Sequence, residues 1–134
     1  MAGYSGRSLV EKLGIPPRTR IAIINPPRGF RATLGKLPAG VTVTSRVSGT
    51  YPFMHFFTRD RAVLEKEIPR LLRALEPNGA LWISWPKKAS GVATDMTEDA
   101  VREIALPVGL VDIKVAAVDA VWSGLKLVRR LENR

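Results

Sequence analysis

Cationic and hydroxyl side chains follow several apolar segments of this chain, and their types suit the binding of an anion. The segment at 85–91, WPKKASG, places two lysines, a serine and a glycine directly after one such segment. The candidate ligand-binding residues are Asn25, Arg28, Arg59, Lys87, Lys88, Ser90 and Thr94. Charged donors and hydroxyls that converge hold phosphate or carboxylate groups well. The sequence therefore predicts a site for a small anionic or nucleotide-like ligand.

Trp85 is the candidate for stacking on the ring of such a ligand, since it stands beside Pro86 and Lys87. Successive side chains of a strand point to opposite faces, so Trp82 and Trp85 should lie on different faces of a sheet. A second interpretation of the segment stays open. In that interpretation Lys87 and Lys88 only solvate a loop, and Ser90 only shapes it.

No arrangement of residues in the chain carries a catalytic signature. The candidate nucleophiles Ser84, Ser90 and Ser123 do not stand in a G-x-S-x-G turn. His55, the sole histidine, lies in an apolar segment without a neighbouring carboxylate, which favours a hydrogen-bonded core residue. The absence of cysteine excludes thiol nucleophiles and leaves little for a metal site. The sequence predicts a non-catalytic binding domain with no metal and no cofactor.

The segment after the first predicted strand bears on methyl transfer. An S-adenosylmethionine-dependent methyltransferase needs a glycine-rich loop at that place and usually an acid after the second strand. Here the loop is NPPRGF, residues 25–30, and no acid ends the strand at 41–47. The NPP triplet resembles the (D/N)PP(Y/F) motif of amino-methyltransferases, but Arg28 replaces the aromatic residue. A rigid turn is the favoured interpretation, and a divergent methyltransferase is kept as an alternative.

The net charge of +9 is unevenly distributed along the chain. Eight lysines and arginines against the single acid Glu11 lie between Arg7 and Arg46, whereas six acids lie between Asp95 and Asp119. One end of the molecule should therefore be electropositive, which attracts polyanions. A basic regulatory module that binds nucleic acid or an acidic protein is the other alternative, although a basic charge can also serve solubility alone. Nucleic acid is not favoured, because few aromatic residues are placed to stack on bases.

The length of 134 residues and the 46% hydrophobic content suit a single domain spanning residues 1–134. No apolar run approaches the roughly 20 residues that cross a bilayer, and residues 1–7 lack the apolar core of a secretion signal. We therefore expect a cytoplasmic location and no membrane partner. An exposed sheet edge would permit a homodimer as well as a monomer.

The hydrophobic periodicity alternates between strands and helices. Predicted strands lie at 20–25, 41–47, 52–58, 80–85, 110–118 and 121–130, and predicted helices at 8–13, 30–37, 59–75 and 96–106. Pro69 should kink or restart the third helix. Residues 76–79, EPNG, should form a turn, and Asp95 with Glu98 resembles a capping box.

The two C-terminal strands should pair as an antiparallel hairpin, because only Asp119 and Ala120 separate them. In the usual doubly wound order the strand at 20–25 lies between those at 41–47 and 52–58, with 80–85 beyond. Together these features predict an α/β fold, a Rossmann-like three-layer sandwich with a mostly parallel sheet and a C-terminal antiparallel hairpin. The candidate residues would then gather at the carboxyl ends of the parallel strands.

Three segments carry a resemblance that covers nearly the whole chain: GYSGRSLVEKLGI near the start, WPKKASGVATDMTED in the middle and GLVDIKVAAVDAVWSGLKLVRR near the end. They resemble the bacterial family catalogued as domain of unknown function 3052. The resemblance implies a Rossmann-like, methyltransferase-like architecture without the cofactor motif. That family has no assigned activity.

Overall fold

Six strands form a single sheet in the computed structural model, which describes residues 7–134. The strands are β1 (Arg20–Ile24), β2 (Thr42–Thr44), β3 (Tyr51–Phe57), β4 (Leu75–Pro86), β5 (Leu110–Ala117) and β6 (Trp122–Arg129). The helices are α1 (Leu9–Leu13), α2 (Phe30–Leu34), α3 (Arg61–Ala74) and α4 (Glu98–Ala105). The spatial order of the strands is β2-β1-β3-β4-β6-β5.

The sheet is parallel at one side and antiparallel at the other. β1 pairs in parallel with β2 and β3, and β3 pairs in parallel with β4. β6 runs antiparallel to β4 and to β5, so the C-terminal hairpin inserts its second strand next to β4. The predicted Rossmann-like fold and its terminal hairpin are confirmed.

Two apolar clusters, one on each face of the sheet, form the core. On one face α1 and α2 pack through Val10, Leu13, Phe30 and Leu34. On the other face α3 and α4 contribute to the core cluster Leu64, Ile68, Leu71, Ala74, Val101, Ile104 and Ala105. Trp82 belongs to the first cluster and Trp85 to the second, as the strand alternation predicts. The molecule therefore has three layers, with the sheet in the middle.

Several element boundaries differ from the prediction. α2 ends at Leu34, because Gly35 adopts a φ of 78° and leaves the helical conformation. β2 keeps only three of the seven residues predicted for it. The predicted turn at 76–79 is wrong, since these residues belong to β4, where the register against β3 shifts between Tyr51 and Phe53.

Pro69 does not divide α3, which runs from Arg61 to Ala74 as one helix. A proline removes the N–H that would bond to the carbonyl four residues earlier, here that of Glu65. Both Pro69 and Glu65 are exposed. Water can therefore satisfy the carbonyl, and the helix continues.

The predicted capping role of Asp95 is wrong. Thr97 is the N-cap of α4, and its hydroxyl accepts a hydrogen bond from the Ala100 N–H at 3.0 Å. The Asp95 carboxylate instead accepts a bond from the N–H of Arg61, the first residue of α3, at 2.7 Å. The acid thus serves the start of a different helix.

No helix within residues 7–134 combines the length and apolarity needed to cross a bilayer. The cytoplasmic location and the choice between monomer and homodimer stay predictions.

Candidate functional site

The carboxyl ends of β1, β3 and β4 meet at one edge of the sheet because the three strands are parallel neighbours. Asn25 follows β1, Thr58 follows β3 and Lys87 follows β4. The chain leaves β1 toward α2 on one face and leaves β3 toward α3 on the other. Such a reversal opens a crevice at this edge, where ligands of α/β sheets bind.

A cavity of about 300 Å³ lies beside the end of β4, and we call it the Trp85 cavity. Its lining residues are Trp85, Lys88, Val92, Thr94, Met96 and Thr97. The wall combines an indole and two apolar side chains with a cation and two hydroxyls. A small ligand with one flat apolar part and one polar part suits this lining.

The loop that forms the cavity is fastened to the end of β3. The Thr94 hydroxyl donates to the carbonyl of Arg59 at 2.5 Å and accepts a bond from the Met96 N–H at 3.0 Å. The bond from the Arg61 N–H to Asp95 adds a second attachment one residue further along. The cavity therefore borders the loop between β3 and α3.

Lys87 and Ser90 lie in the loop after β4 that forms the cavity, but their side chains stabilise the loop itself. The Lys87 ammonium donates to the carbonyl of Asp119 at 3.1 Å, and the Lys87 N–H donates to the carbonyl of Val121 at 2.8 Å. The Ser90 hydroxyl donates to the Lys87 carbonyl at 2.7 Å and accepts from the Val92 N–H at 3.2 Å. Lys87 is thus directed to the β5–β6 turn, and Ser90 shapes the loop.

Asn25 and Arg28 lie in the loop after β1, and both are exposed. Asn25 adopts a φ of 57°, which asparagine tolerates better than most residues, and Gly29 adopts a φ of 81°. A Cβ added at Gly29 would meet no atom within 4 Å. The glycine therefore permits the positive φ of this turn, and open space lies where a side chain would be.

The predicted residues do not form one ring of groups. The cavity brings together Lys88, Thr94 and Trp85, and Arg59 adjoins it through its carbonyl. Lys87 is held by the hairpin, while Asn25 and Arg28 lie on the separate loop after β1. Trp85 is only 5% exposed, so its indole forms part of the cavity wall and of the core.

Asp60 is a candidate that the sequence analysis missed. It is exposed at the start of α3, and its carboxylate makes no cap hydrogen bond. Thr58 holds the backbone of this residue, accepting from its N–H at 3.0 Å and donating to its carbonyl at 3.2 Å. Within residues 7–134 the carboxylate has no hydrogen-bond or ion-pair partner. The sequence predicts a helix that begins at residue 59, which assigns Asp60 to the helix and not to the loop after β3.

The end of β2 offers no carboxylate, and its hydroxyl is engaged. The side chains of Thr44 and Arg20 both bond to the Tyr51 hydroxyl, at 3.1 and 2.8 Å. The Ser48 N–H also donates to that hydroxyl at 2.9 Å. These bonds hold the short link between β2 and β3, which lie on opposite sides of β1.

His55 is a buried core residue, as the sequence predicts. Its Nε2 lies 2.7 Å from the Ser84 hydroxyl, and both residues are at most 1% exposed. Nδ1 has no hydrogen-bond partner. Burial lowers the pKa of His55 from 6.5 to about 3. The pair is closed to substrate, and residues 7–134 contain no cluster of three or more potential His, Asp or Glu metal ligands.

Several solved structures similar to this chain are methyltransferases. A ribosomal protein L11 methylase from Lactobacillus delbrueckii subsp. bulgaricus is 13% identical, with a TM-score of 0.62 over 91% of this chain and 75% of the methylase. The magnesium protoporphyrin IX methyltransferase of Synechocystis PCC 6803, solved with bound S-adenosylmethionine, is 12% identical, with a TM-score of 0.58 and coverages of 91% and 74%. An S-adenosylmethionine-dependent methyltransferase from Aquifex aeolicus is 13% identical, with a TM-score of 0.60 and coverages of 89% and 86%.

At such identities the likeness establishes the fold. No protein-family model matches the chain, and no curated protein matches it either. The resemblance to domain of unknown function 3052 stays a prediction.

The prediction of a non-catalytic domain for a small anion is wrong. The solved structures that share the fold include an S-adenosylmethionine-dependent methyltransferase and a methyltransferase with that cofactor bound, and these favour the methyltransferase alternative. The cation ring on which the prediction depended is also not assembled, because Lys87 bonds to the hairpin.

Proposed function

We propose that this chain is a divergent S-adenosylmethionine-dependent methyltransferase that holds its cofactor over the ends of β3 and β4. The observation that carries the proposal is the Trp85 cavity, which lies at the carboxyl edge of a sheet shared with methyltransferases. The sequence alone predicts no cofactor, whereas this proposal requires S-adenosylmethionine.

The groups around the cavity suit the parts of this cofactor. An adenine ring needs an apolar, partly aromatic wall, which Trp85, Val92 and Met96 supply. A ribose diol needs an acceptor. Asp60 does not line the cavity, but it lies between Arg59 and Arg61, whose backbones bond to the cavity loop. Its carboxylate has no partner within residues 7–134. The carboxylate of the methionine part needs a cation, and Lys88 lines the cavity.

The usual place over β1 and β2 suits the cofactor less well. Pro26 and Pro27 provide no N–H donors after β1, and β2 ends without an acid. The loop at 25–30 has one glycine, Gly29, in place of a glycine-rich turn. The residues therefore fit the cofactor on the β3–β4 side of the crevice.

The side chains of the site would bind and orient, while the cofactor, when bound, supplies an electrophilic methyl group. Asp60 would accept hydrogen bonds from the ribose, and Lys88 would pair with the carboxylate. The bonds from Thr94 to Arg59 and from Arg61 to Asp95 hold the cavity loop against the end of β3. Such fixed geometry keeps a ligand oriented for reaction.

Replacing Val92 by tryptophan should fill the Trp85 cavity and weaken binding of S-adenosylmethionine by tenfold or more, about 1.4 kcal/mol. Isothermal titration calorimetry of the full chain with S-adenosylmethionine and with S-adenosylhomocysteine measures this. The matched control is Ala93→Trp, which introduces the same side chain at an exposed neighbour outside the cavity lining. That control should bind like the original chain.

Asp60→Asn should weaken the affinity for S-adenosylmethionine, measured by the same titration, by roughly tenfold. The substitution removes a charged acceptor of ribose hydroxyls. Absence of cofactor binding to the original chain would refute the proposal. Equal weakening by Val92→Trp and Ala93→Trp would place the cofactor elsewhere. Transfer itself is tested by incorporation of a labelled methyl group from the cofactor into RNA, protein or small-molecule fractions.

A further inference from the structure

Six ion pairs of the described residues lie on one side of the molecule. Within residues 7–134 they join side chains of α3 and α4, with Asp112 of β5 as the one partner outside these helices. Arg102 contacts Glu98, Asp99 and Asp112. Arginines and acids thus neutralise each other on the α3/α4 side.

The α1/α2 side carries cations without such partners. We call Lys12, Arg28, Arg31, Lys36 and Lys126 together the basic face. Lys12 lies on α1, Arg28 and Arg31 at the start of α2, Lys36 just after α2, and Lys126 on β6. None of the five forms a salt bridge among residues 7–134.

The acid nearest in sequence to this face is already engaged. Glu11 of α1 accepts a bond from the Ser8 N–H at 3.0 Å, and the Ser8 hydroxyl accepts from the Glu11 N–H at 3.1 Å. These two bonds form a capping box at the start of α1. The carboxylate is therefore held at the N-terminus of the helix, away from Gly14 at its C-terminus.

A β-bulge adds a further cation to this side. Asp112 pairs with Leu127 and Lys114 with Lys126, so Ile113 is an extra residue without a partner on β6. The bulge turns Lys114 to the α1 side of the sheet, whereas regular alternation would have placed it on the side of Asp112. The Lys114 ammonium donates to the Lys12 carbonyl at 2.8 Å.

Two ammonium groups, those of Lys114 and Lys126, consequently lie at the end of α1. Lys126 lies against this end, since a Cβ on Gly14 would be 3.4 Å from its Nζ. Burial, and then the positive charges of Arg7, Lys126 and Lys12, lower the pKa of Lys114. Such crowding of like charge is unfavourable unless an anion relieves it.

We propose that the basic face binds the phosphate backbone of a nucleic acid. This proposal does not depend on the proposed cofactor. Arg28 lies in the loop after β1, at the carboxyl edge of the sheet. A bound nucleic-acid strand would therefore pass the crevice. Phosphate contacts need cations spread over a surface and no apolar centre.

The position of exposed apolar residues distinguishes nucleic acid from other anionic partners. In the described part of the chain, the large exposed hydrophobic residues are Val108, Ile113, Val115 and Leu131. None belongs to α1, α2 or their flanking loops. A protein partner normally buries an apolar or aromatic centre, and a membrane-bound helix inserts apolar side chains. The part of the basic face formed by α1 and α2 offers neither.

The test is fluorescence anisotropy of the full chain with short labelled single-stranded RNA and duplex DNA between about 50 and 200 mM salt. The double variant Lys12→Gln with Lys126→Gln should reduce the slope of log affinity against log salt by about one per side chain. Arg28→Gln with Arg31→Gln should do the same. Lys114 is left unchanged because it holds the end of α1.

Lys66→Gln with Arg73→Gln is the matched control, since it removes two exposed cations without ion pairs from α3. All three double variants have the same net charge, so an effect of total charge alone would make them equal and would overturn the proposal. Absence of binding to both nucleic acids would overturn it as well. So would equally tight binding to a polyglutamate peptide or to phosphatidylserine vesicles.

The basic-face variants should bind S-adenosylmethionine as the original chain does. A chain that binds the cofactor and no nucleic acid would refute only the basic face. A chain that binds nucleic acid and no cofactor would refute only the proposed methyltransferase.

Discussion

Replacing Trp82 by alanine is expected to lower the free energy of unfolding by about 3–5 kcal/mol. The indole is completely buried, and its Nε1–H donates to the carbonyl of Leu13 at 2.8 Å. Leu13 ends α1 and is also completely buried. The substitution would therefore create a large cavity and leave a buried carbonyl without a donor. Native domains have a total stability of about 5–15 kcal/mol, so this loss would be a large share of it.

Trp82→Phe separates the two contributions. It keeps much of the apolar volume and removes the donor, so it should cost about 1–3 kcal/mol. Urea unfolding followed by circular dichroism measures both variants, and the m value shows whether the unfolding transition is unchanged. Trp122→Phe is the control, because that tryptophan is only half-buried and its indole has no hydrogen bond among residues 7–134. If Trp82→Phe were as unstable as Trp82→Ala, the apolar volume of the side chain would contribute nothing beyond the hydrogen bond, which would contradict this prediction.

The strands of the sheet could be predicted because the residue pattern within each segment indicates its conformation. The run RIAII has no polar residue after its first position, as expected for a strand covered on both faces, and four of its five residues are buried. Gly14 follows the last apolar residue of α1 and adopts the left-handed conformation of a C-cap. The link at 119–120 is too short for any connection but a hairpin.

The site could not be predicted to the same extent, because its contacts join distant segments. Lys87 and Lys88 are neighbours, yet Lys87 bonds to the hairpin while Lys88 lines the cavity. Asp95 bonds to Arg61, which lies 34 residues earlier. The periodicity of a segment gives its conformation, and it does not say which other loop will supply its hydrogen-bond partners.

The basic face depends on the same kind of information. The sequence alone predicts an electropositive region between Arg7 and Arg46, and the cations of α1 and α2 lie there. Lys114 belongs to an acidic stretch in sequence, and only the bulge at Ile113 turns it toward α1. A single unpaired residue in an edge strand leaves no clear mark in the hydrophobic pattern.

His55 should make the protein less stable as the pH falls below about 6.5. Burial lowers the pKa of the folded histidine to about 3, whereas the unfolded chain keeps the ordinary value of 6.5. Between these two values the unfolded state binds a proton that the folded state does not bind. The stability is therefore fully present above pH 6.5 and is lost as the pH falls, by about 1.4 kcal/mol per unit.

The window between about pH 6.5 and 5 isolates this residue, because the chain has no other histidine and carboxylates titrate mainly below it. Over that window urea unfolding should report a loss of about 2 kcal/mol. His55→Gln can keep a hydrogen bond to Ser84 and cannot titrate, so its profile should be flat there. A flat profile for the original chain would mean that the imidazole is protonated in the folded state. An equally steep profile for His55→Gln would assign the loss to another group, and the buried pair would then have no part in it.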